Sequence, residues 1–158
     1  MECDPVVDKH GIRRCGKSYL LRQIFKDYLL GNGVNADHII EVLLDQKEYE
    51  KYRDPNALYH YVLSRISDQG EYFLFIDEIQ LSWKVKREDV DLSRIAEEDR
   101  DLAYTTFYDI LNDLMAKPNL DIYVTGSNSR MLSKDIATNF RDRGSEIRMF
   151  PLNFAEFY

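Results

Sequence analysis

The feature that most constrains the fold is the spacing of two glycines near the start of the chain. Four residues separate Gly11 from Gly16, and a Lys-Ser pair follows Gly16. Glycine permits backbone angles that other residues avoid, so consecutive N–H groups in such a turn can point into one concavity. Apolar residues then recur at helical spacing, which predicts a helix over residues 17–30 that is stopped by Gly31. The apolar positions are Leu20, Leu21, Ile24, Phe25, Tyr28 and Leu29. The pattern predicts an anion-binding turn that leads into the positive end of a helix.

A second constraint is a run of apolar residues that ends abruptly in two carboxylates. Residues 72–76 are continuously apolar, as in a strand that is buried on both faces, and Asp77 and Glu78 follow at once. Alone, the glycines fit a capped helix start and the acidic pair fits a helix cap; together they match a phosphate-binding loop and its partner strand. In that interpretation Lys17 reaches the β- and γ-phosphates and Glu78 polarises the attacking water. Ser18 and Asp77 then hold Mg²⁺.

The rest of the chain alternates short strands with helices, which predicts an α/β domain with a mostly parallel sheet. Further strands are predicted over 38–44, 121–125 and 146–150, and further helices over 55–67, 104–116 and 131–140. Asp54 is the expected N-cap of the helix that begins at Pro55. Residues 81–103 are highly charged and lack a sustained apolar period, so they are predicted to form an exposed insertion within a single domain, 1–158. The strand expected before Gly11 is atypical, because Asp8-Lys9-His10 interrupts it.

Composition and charge narrow the classes of function. A formal net charge of −7 argues against a broad surface for nucleic acids or anionic membranes. No apolar run approaches the about 18 residues that a membrane span needs, and the charged residues among the first 20 exclude an ordinary signal peptide. Cys3 and Cys15 define neither a disulfide framework nor a zinc site, so the expected location is cytoplasmic.

Two further groups of polar side chains are candidates for the same site. Thr125, Ser127 and Asn128 follow a predicted strand, and the carboxyl ends of parallel strands line the ligand crevice of such sheets. A side chain there is placed to contact the γ-phosphate or the water, although an ordinary Gly-Ser-Asn turn explains the same residues. Arg141 and Arg143 fit either an arginine that stabilises transition-state charge in trans or a solvated helix end.

Five segments carry a resemblance to a known group of proteins. They are residues 11–18, 75–80, 106–114, 123–129 and 143–158. Together they resemble the prokaryotic AAA-type predicted ATPases, in which the ATPase module is normally followed by a C-terminal domain of unknown function. The resemblance covers residues 11–158 and implies a P-loop NTPase three-layer α/β sandwich with a parallel five-strand sheet in the order 5-1-4-3-2. It also implies ATP and Mg²⁺ as the ligands.

The same resemblance implies roles for individual residues. Lys17 and Ser18 fall in the first Walker motif, and Asp77 and Glu78 fall in the second. Ser127 or Asn128 falls at the sensor position after the fourth strand, and Arg143 at the arginine before the fifth. The predicted nucleotide-binding residues are Gly11, Ile12, Arg13, Arg14, Cys15, Gly16, Lys17, Ser18 and Tyr19. The predicted catalytic residues are Lys17, Glu78, Asn128 and Arg143, and the predicted metal ligands are Ser18 and Asp77.

Two departures from the family pattern keep several functions open. The first strand is atypical, and the chain stops at Tyr158, where the family continues into a helical lid. The resemblance therefore predicts a truncated ATPase without its lid and with weak turnover. The alternatives are an ATP-binding switch that does not hydrolyse, an inert remnant of a larger ATPase and, more distantly, a small-molecule kinase. Nucleotide is the predicted partner, self-association or a protein partner is left open, and neither membrane nor nucleic acid is indicated.

Overall fold

The structure is a computed structural model and describes residues 16–88, 90–91, 93 and 96–126. Several predicted features lie outside the described residues. They are loop positions 11–15, the strand before them, Ser127, Asn128, Arg143, the helix over 131–140 and the strand over 146–150.

The described residues alternate helices and strands, which confirms the predicted α/β class. Helix α1 covers residues 17–31 and consists of the α-helical Lys17–Tyr19, the π-helical Leu20–Phe25 and the α-helical Lys26–Gly31. Besides short 3-10 helices, the other elements are β1 (Ile39–Leu43), α2 (Pro55–Arg65), β2 (Tyr72–Asp77), β3 (Val85–Lys86), β4 (Tyr104–Thr105), α3 (Phe107–Met115) and β5 (Leu120–Val124). Within the part of the chain that the structure describes, no helix is both long and apolar enough to cross a bilayer.

Three strands form a parallel sheet in the order β1-β2-β5. The register pairs Leu43 with Asp77, and Ile76 with Val124. This order agrees with the 4-3-2 part of the predicted five-strand order, whose first and fifth strands fall outside the described residues. Because all three strands run in the same direction, their carboxyl ends lie along one edge of the sheet.

The central strand β2 is buried along its whole length, as its continuous apolar run predicts. Leu74 and Ile76 pack with α2 and α3 in one hydrophobic cluster, whereas Phe73 and Phe75 pack with α1 in another. Alternate side chains of β2 therefore bind helical layers on opposite faces of the sheet. Each large apolar side chain that becomes fully buried contributes roughly 1.5–3 kcal/mol to the stability of the fold. The burial of β2 therefore fixes the position of the residues at its carboxyl end.

Helix α1 packs one of its two apolar rows against the sheet. Leu21 and Leu29 are buried, and between them Phe25 contacts the rings of Phe75 and Tyr123 at centroid distances of 5.8 Å and 4.9 Å. The adjacent row is exposed and consists of Leu20, Ile24 and Tyr28. Helical periodicity predicted the helix, but it could not show which of the two adjacent apolar rows packs against the sheet.

The segment between β2 and α3 contains a pair of strands that the charged sequence did not predict. Strands β3 and β4 pair antiparallel, with Val85 opposite Thr105. The helix predicted over 104–116 is therefore wrong at its start, because residues 104–105 form a strand and the helix begins at Phe107. Thr106 ends the strand pairing and its N–H donates a 2.8 Å hydrogen bond to Asp109 Oδ2, which closes the first turn.

The turn before β2 is closely packed around Gly70. A Cβ at this position would overlap with His38 Cε1 and would lie 2.9 Å from Asp68 Oδ1. The His38 ring stacks on Tyr72 at a centroid distance of 4.3 Å, so it has little freedom to move away. The Gly70 N–H donates a 2.7 Å hydrogen bond to Asp68 Oδ1 and lowers the pKa of that carboxyl.

We expect Gly70→Ala to lower the free energy of unfolding by about 1–3 kcal/mol, because the added methyl group overpacks the His38 ring. Gly31→Ala is the matched control, since a Cβ there meets nothing within 4 Å and alanine is the better helix former. Chemical denaturation of both variants checks the prediction. Equal stabilities for the two variants would contradict the close approach at Gly70.

Candidate functional site

The start of α1 meets the carboxyl ends of β2 and β5 at one edge of the sheet. The Ser18 hydroxyl donates a 2.9 Å hydrogen bond to Asp77 Oδ1, although the two residues are 59 positions apart. The Lys17 ammonium donates a 2.7 Å hydrogen bond to the carbonyl of Gly126, two residues after the end of β5. The fold therefore brings the Lys-Ser pair and the first carboxylate of the acidic pair together.

Gly16 forms the entry to helix α1 in a left-handed backbone conformation. Its φ is 83° and its ψ is 8°, and its carbonyl accepts a 2.7 Å hydrogen bond from the N–H of Leu20. A residue with a Cβ is strained at this φ, so the second glycine of the sequence pattern has a direct backbone reason. The helix then begins at Lys17, and its first N–H groups point back toward the turn.

Asp77 is buried and strongly hydrogen-bonded. Asp77 is 3% exposed, and it is the one charged residue that is buried among the described residues. Two hydroxyls, those of Ser18 and Thr125, donate to the same oxygen, Oδ1. A buried carboxylate is costly unless such donors compensate for the water that it loses.

Thr125 is the residue whose role sequence reasoning missed. The sequence makes it a candidate for contact with phosphate or water. In the structure its hydroxyl donates a hydrogen bond to Asp77 and accepts a 3.3 Å hydrogen bond from the Glu78 N–H. The signal lay in the sheet register, because pairing of Ile76 with Val124 places the next residues of both strands side by side. That register was not readable from the sequence pattern alone.

Glu78 follows β2 in a strained conformation. With φ of 57° and ψ of 49°, it is the one residue other than glycine with a positive φ in the described part of the chain. Its side chain is half-buried and accepts a hydrogen bond from the Gln80 amide. Non-glycine residues in this region of φ/ψ space cost roughly 1 kcal/mol or more, and such strain often marks functional positions.

An open cavity lies beside Ser18, between α1 and Glu41 of β1. Its lining residues are Ser18, Tyr19, Arg22, Gln23, Lys26 and Glu41. Glu41 pairs with Lys26, and its Oε1 lies 3.7 Å from Arg22 Nε. Tyr19, a predicted nucleotide contact, is 64% exposed at this cavity, so its ring is accessible to a ligand bound at the start of the helix.

The described residues offer oxygen atoms to a metal. Ser18 Oγ and the Asp77 carboxylate are neutral and anionic oxygen donors, the type that Mg²⁺ prefers. Mg²⁺ is usually held by one or two carboxylates together with substrate phosphates and waters, so this small donor set fits it. No group of three or more His, Cys, Asp or Glu side chains with metal-binding geometry occurs among residues 16–88, 90–91, 93 and 96–126.

The parallel sheet, with a glycine-led helix at its carboxyl edge, is compatible with the P-loop class of nucleoside triphosphatases. The model of the AAA domain family matches residues 5–158, so the chain belongs to this family. The resemblance to AAA-type predicted ATPases is thereby confirmed, and membership indicates an ATPase-type module that binds nucleotide.

Two curated relatives are uncharacterized proteins. One, from Haemophilus influenzae, is 31% identical over 150 residues, which cover 93% of this chain and 31% of the relative. The other, from Methanocaldococcus jannaschii, is 33% identical over 152 residues, which cover 94% of this chain and 27% of the relative. The chain therefore spans less than a third of the length of these relatives. No solved structure matches the chain.

Proposed function

We propose that this chain binds ATP with Mg²⁺ and hydrolyses it. The observation that carries the proposal is the 2.9 Å hydrogen bond between Ser18 Oγ and Asp77 Oδ1. It brings a hydroxyl from the phosphate-loop pattern against the buried carboxylate at the end of the central strand. These are the two groups that would hold Mg²⁺, and when bound this ion neutralises the charge that develops on the phosphate oxygens.

Lys17 is proposed to bind the phosphates directly. Its ammonium now donates to a neutral carbonyl, that of Gly126, at 2.7 Å. A phosphate oxygen carries negative charge, and charge-assisted hydrogen bonds are roughly twice as strong as neutral ones. Nucleotide binding would therefore transfer the Lys17 ammonium from the Gly126 carbonyl to the β- and γ-phosphates.

Glu78 is proposed to orient and polarise the attacking water. Its position directly after Asp77 places a second carboxylate at the same edge of the sheet. In a regular strand, consecutive side chains point to opposite faces. The left-handed backbone at Glu78 breaks this alternation, so the Glu78 side chain is not forced to the face opposite Asp77. A carboxylate near a bound water contributes to rate as a general base.

A second candidate function is an ATP-binding switch that does not hydrolyse. It is favoured by the hydrogen bond from the Gln80 amide to the Glu78 carboxylate, because an engaged carboxylate is a poorer base. Turnover measured beside binding separates the two functions.

The test of nucleotide binding compares the parent chain with Lys17→Ala. We expect Mg²⁺ and ATP at 100 times Kd to stabilise the parent by about 2.7 kcal/mol, and the variant to bind about 10-fold or more weakly. Lys84→Ala is the control, because Lys84 is exposed and pairs with the exposed Asp101 away from the site. Thermal unfolding and titration calorimetry provide the readouts. A parent whose Tm and heat do not respond to ATP contradicts the proposed function.

A further inference from the structure

We infer that Thr125 is a positioning residue for both carboxylates of the acidic pair. The inference rests on the proposed ATPase function and adds a residue to it. A single side-chain hydroxyl connects the end of β5 to Asp77 and to Glu78, so one group controls the geometry of the metal-binding and the water-activating residue.

The hydroxyl of Thr125 is used as both donor and acceptor. Its Oγ1 donates to Asp77 Oδ1 and accepts a 3.3 Å hydrogen bond from the Glu78 N–H. A hydroxyl has one hydrogen to donate, so donation to Asp77 fixes its rotation and leaves lone pairs for the amide. The two bonds therefore support each other, and neither survives unchanged without the oxygen.

The backbone of Thr125 holds that hydroxyl in place. Its N–H donates a 2.8 Å hydrogen bond to the Ile76 carbonyl, and its carbonyl accepts a 3.0 Å hydrogen bond from the Ile79 N–H. These bonds flank the acidic pair on both sides. The strained turn at Glu78 is consequently held to β5 by two backbone bonds and one side-chain bond, and the side-chain bond is the one that a substitution can remove.

The contact also orients the Asp77 carboxylate. Ser18 and Thr125 both donate to Oδ1, which settles the rotation of a carboxylate that would otherwise turn about its terminal bond. Hydrogen-bond partners of metal ligands commonly change metal affinity or activity by about 10- to 100-fold when they are removed. Thr125 is such a hydrogen-bond partner of Asp77. Its second hydrogen bond, from the Glu78 N–H, gives it a further influence on the rate of ATP hydrolysis.

The test compares Thr125→Val with Thr125→Ser. Valine keeps the branched shape and removes the hydroxyl, whereas serine keeps the hydroxyl and removes a methyl group. We expect Thr125→Val to lower kcat about 10- to 100-fold and to raise the Mg²⁺ concentration needed for half-maximal activity, with KM for ATP changed less than about 3-fold. Thr125→Ser should stay close to the parent in all three quantities.

Thr105→Val is the matched control, because it makes the same substitution on β4 outside the site. Tm is measured for every variant. A kcat of Thr125→Val equal to that of the parent overturns the inference and leaves the proposed function standing. Equal losses of kcat and Tm in the valine and serine variants also overturn it, since they indicate a structural role only. A parent that neither binds nor hydrolyses ATP overturns the inference and the proposed function together.

Discussion

Glu78→Gln is expected to lower ATP turnover by about 100- to 10,000-fold while ATP binding is retained, because glutamine has the shape of glutamate but cannot accept a proton. The backbone conformation should persist, since the Glu78 N–H still donates to Thr125 Oγ1 and the Leu81 N–H still donates to the Glu78 carbonyl. The substitution therefore removes the proposed base and leaves its support in place. Phosphate release at saturating ATP and Mg²⁺ measures the loss.

Glu71→Gln is the control for this prediction. Glu71 is exposed and precedes β2, so the same chemical change occurs at the opposite end of the strand that carries the site. Full turnover in Glu78→Gln would show that another group activates the water. Loss of ATP binding in Glu78→Gln would instead assign Glu78 to the nucleotide pocket.

The central strand and its carboxylates were predictable from the sequence because the signals are local and strong. An apolar run bounded by Asp77 identifies a doubly buried strand without any knowledge of its neighbours. The sequence Asp54-Pro55 likewise predicted a helix start. The structure confirms it, because Asp54 accepts hydrogen bonds from the N–H groups of Asn56 and Ala57 as an N-cap does. Parallel strands then placed the ends of β2 and β5 at one edge.

The details that depend on pairing between distant segments could not be predicted. Strands β3 and β4 have two residues each, which is too short for an alternating pattern to appear. The contact between Thr125 and Asp77 depends on a register that one strand alone does not reveal. The strained backbone of Glu78 likewise follows from its bonds to β5, because nothing in a glutamate favours a positive φ.

The second large effect is expected from Asp77→Asn. The asparagine oxygen can still accept hydrogen bonds from Ser18 and Thr125, but the amide removes the negative charge that Mg²⁺ needs. We expect the Mg²⁺ concentration for half-maximal ATP binding or turnover to rise about 100-fold or more. Titration of Mg²⁺ at fixed ATP measures this change.

The same variant should be at least as stable as the parent when no ligand is present. None of the ion pairs among the described residues includes Asp77, so its charge is compensated there by neutral hydroxyls. Charged side chains that are kept for function often cost stability, so a neutral side chain of the same shape is expected to stabilise the ligand-free protein by about 0.5–2 kcal/mol. Thermal unfolding in the absence of Mg²⁺ and nucleotide checks the sign.

Asp54→Asn is the matched control for Asp77→Asn, because asparagine caps a helix as well as aspartate does and should change neither readout. If Asp77→Asn loses stability and keeps its response to Mg²⁺, the carboxylate serves to stabilise the edge of the sheet and is not a metal ligand. The opposite result, greater stability with a lost Mg²⁺ response, is the one expected if Asp77 is a metal ligand. A carboxylate that destabilises the ligand-free fold is explained by what it binds, since packing alone would favour a neutral side chain at the end of β2.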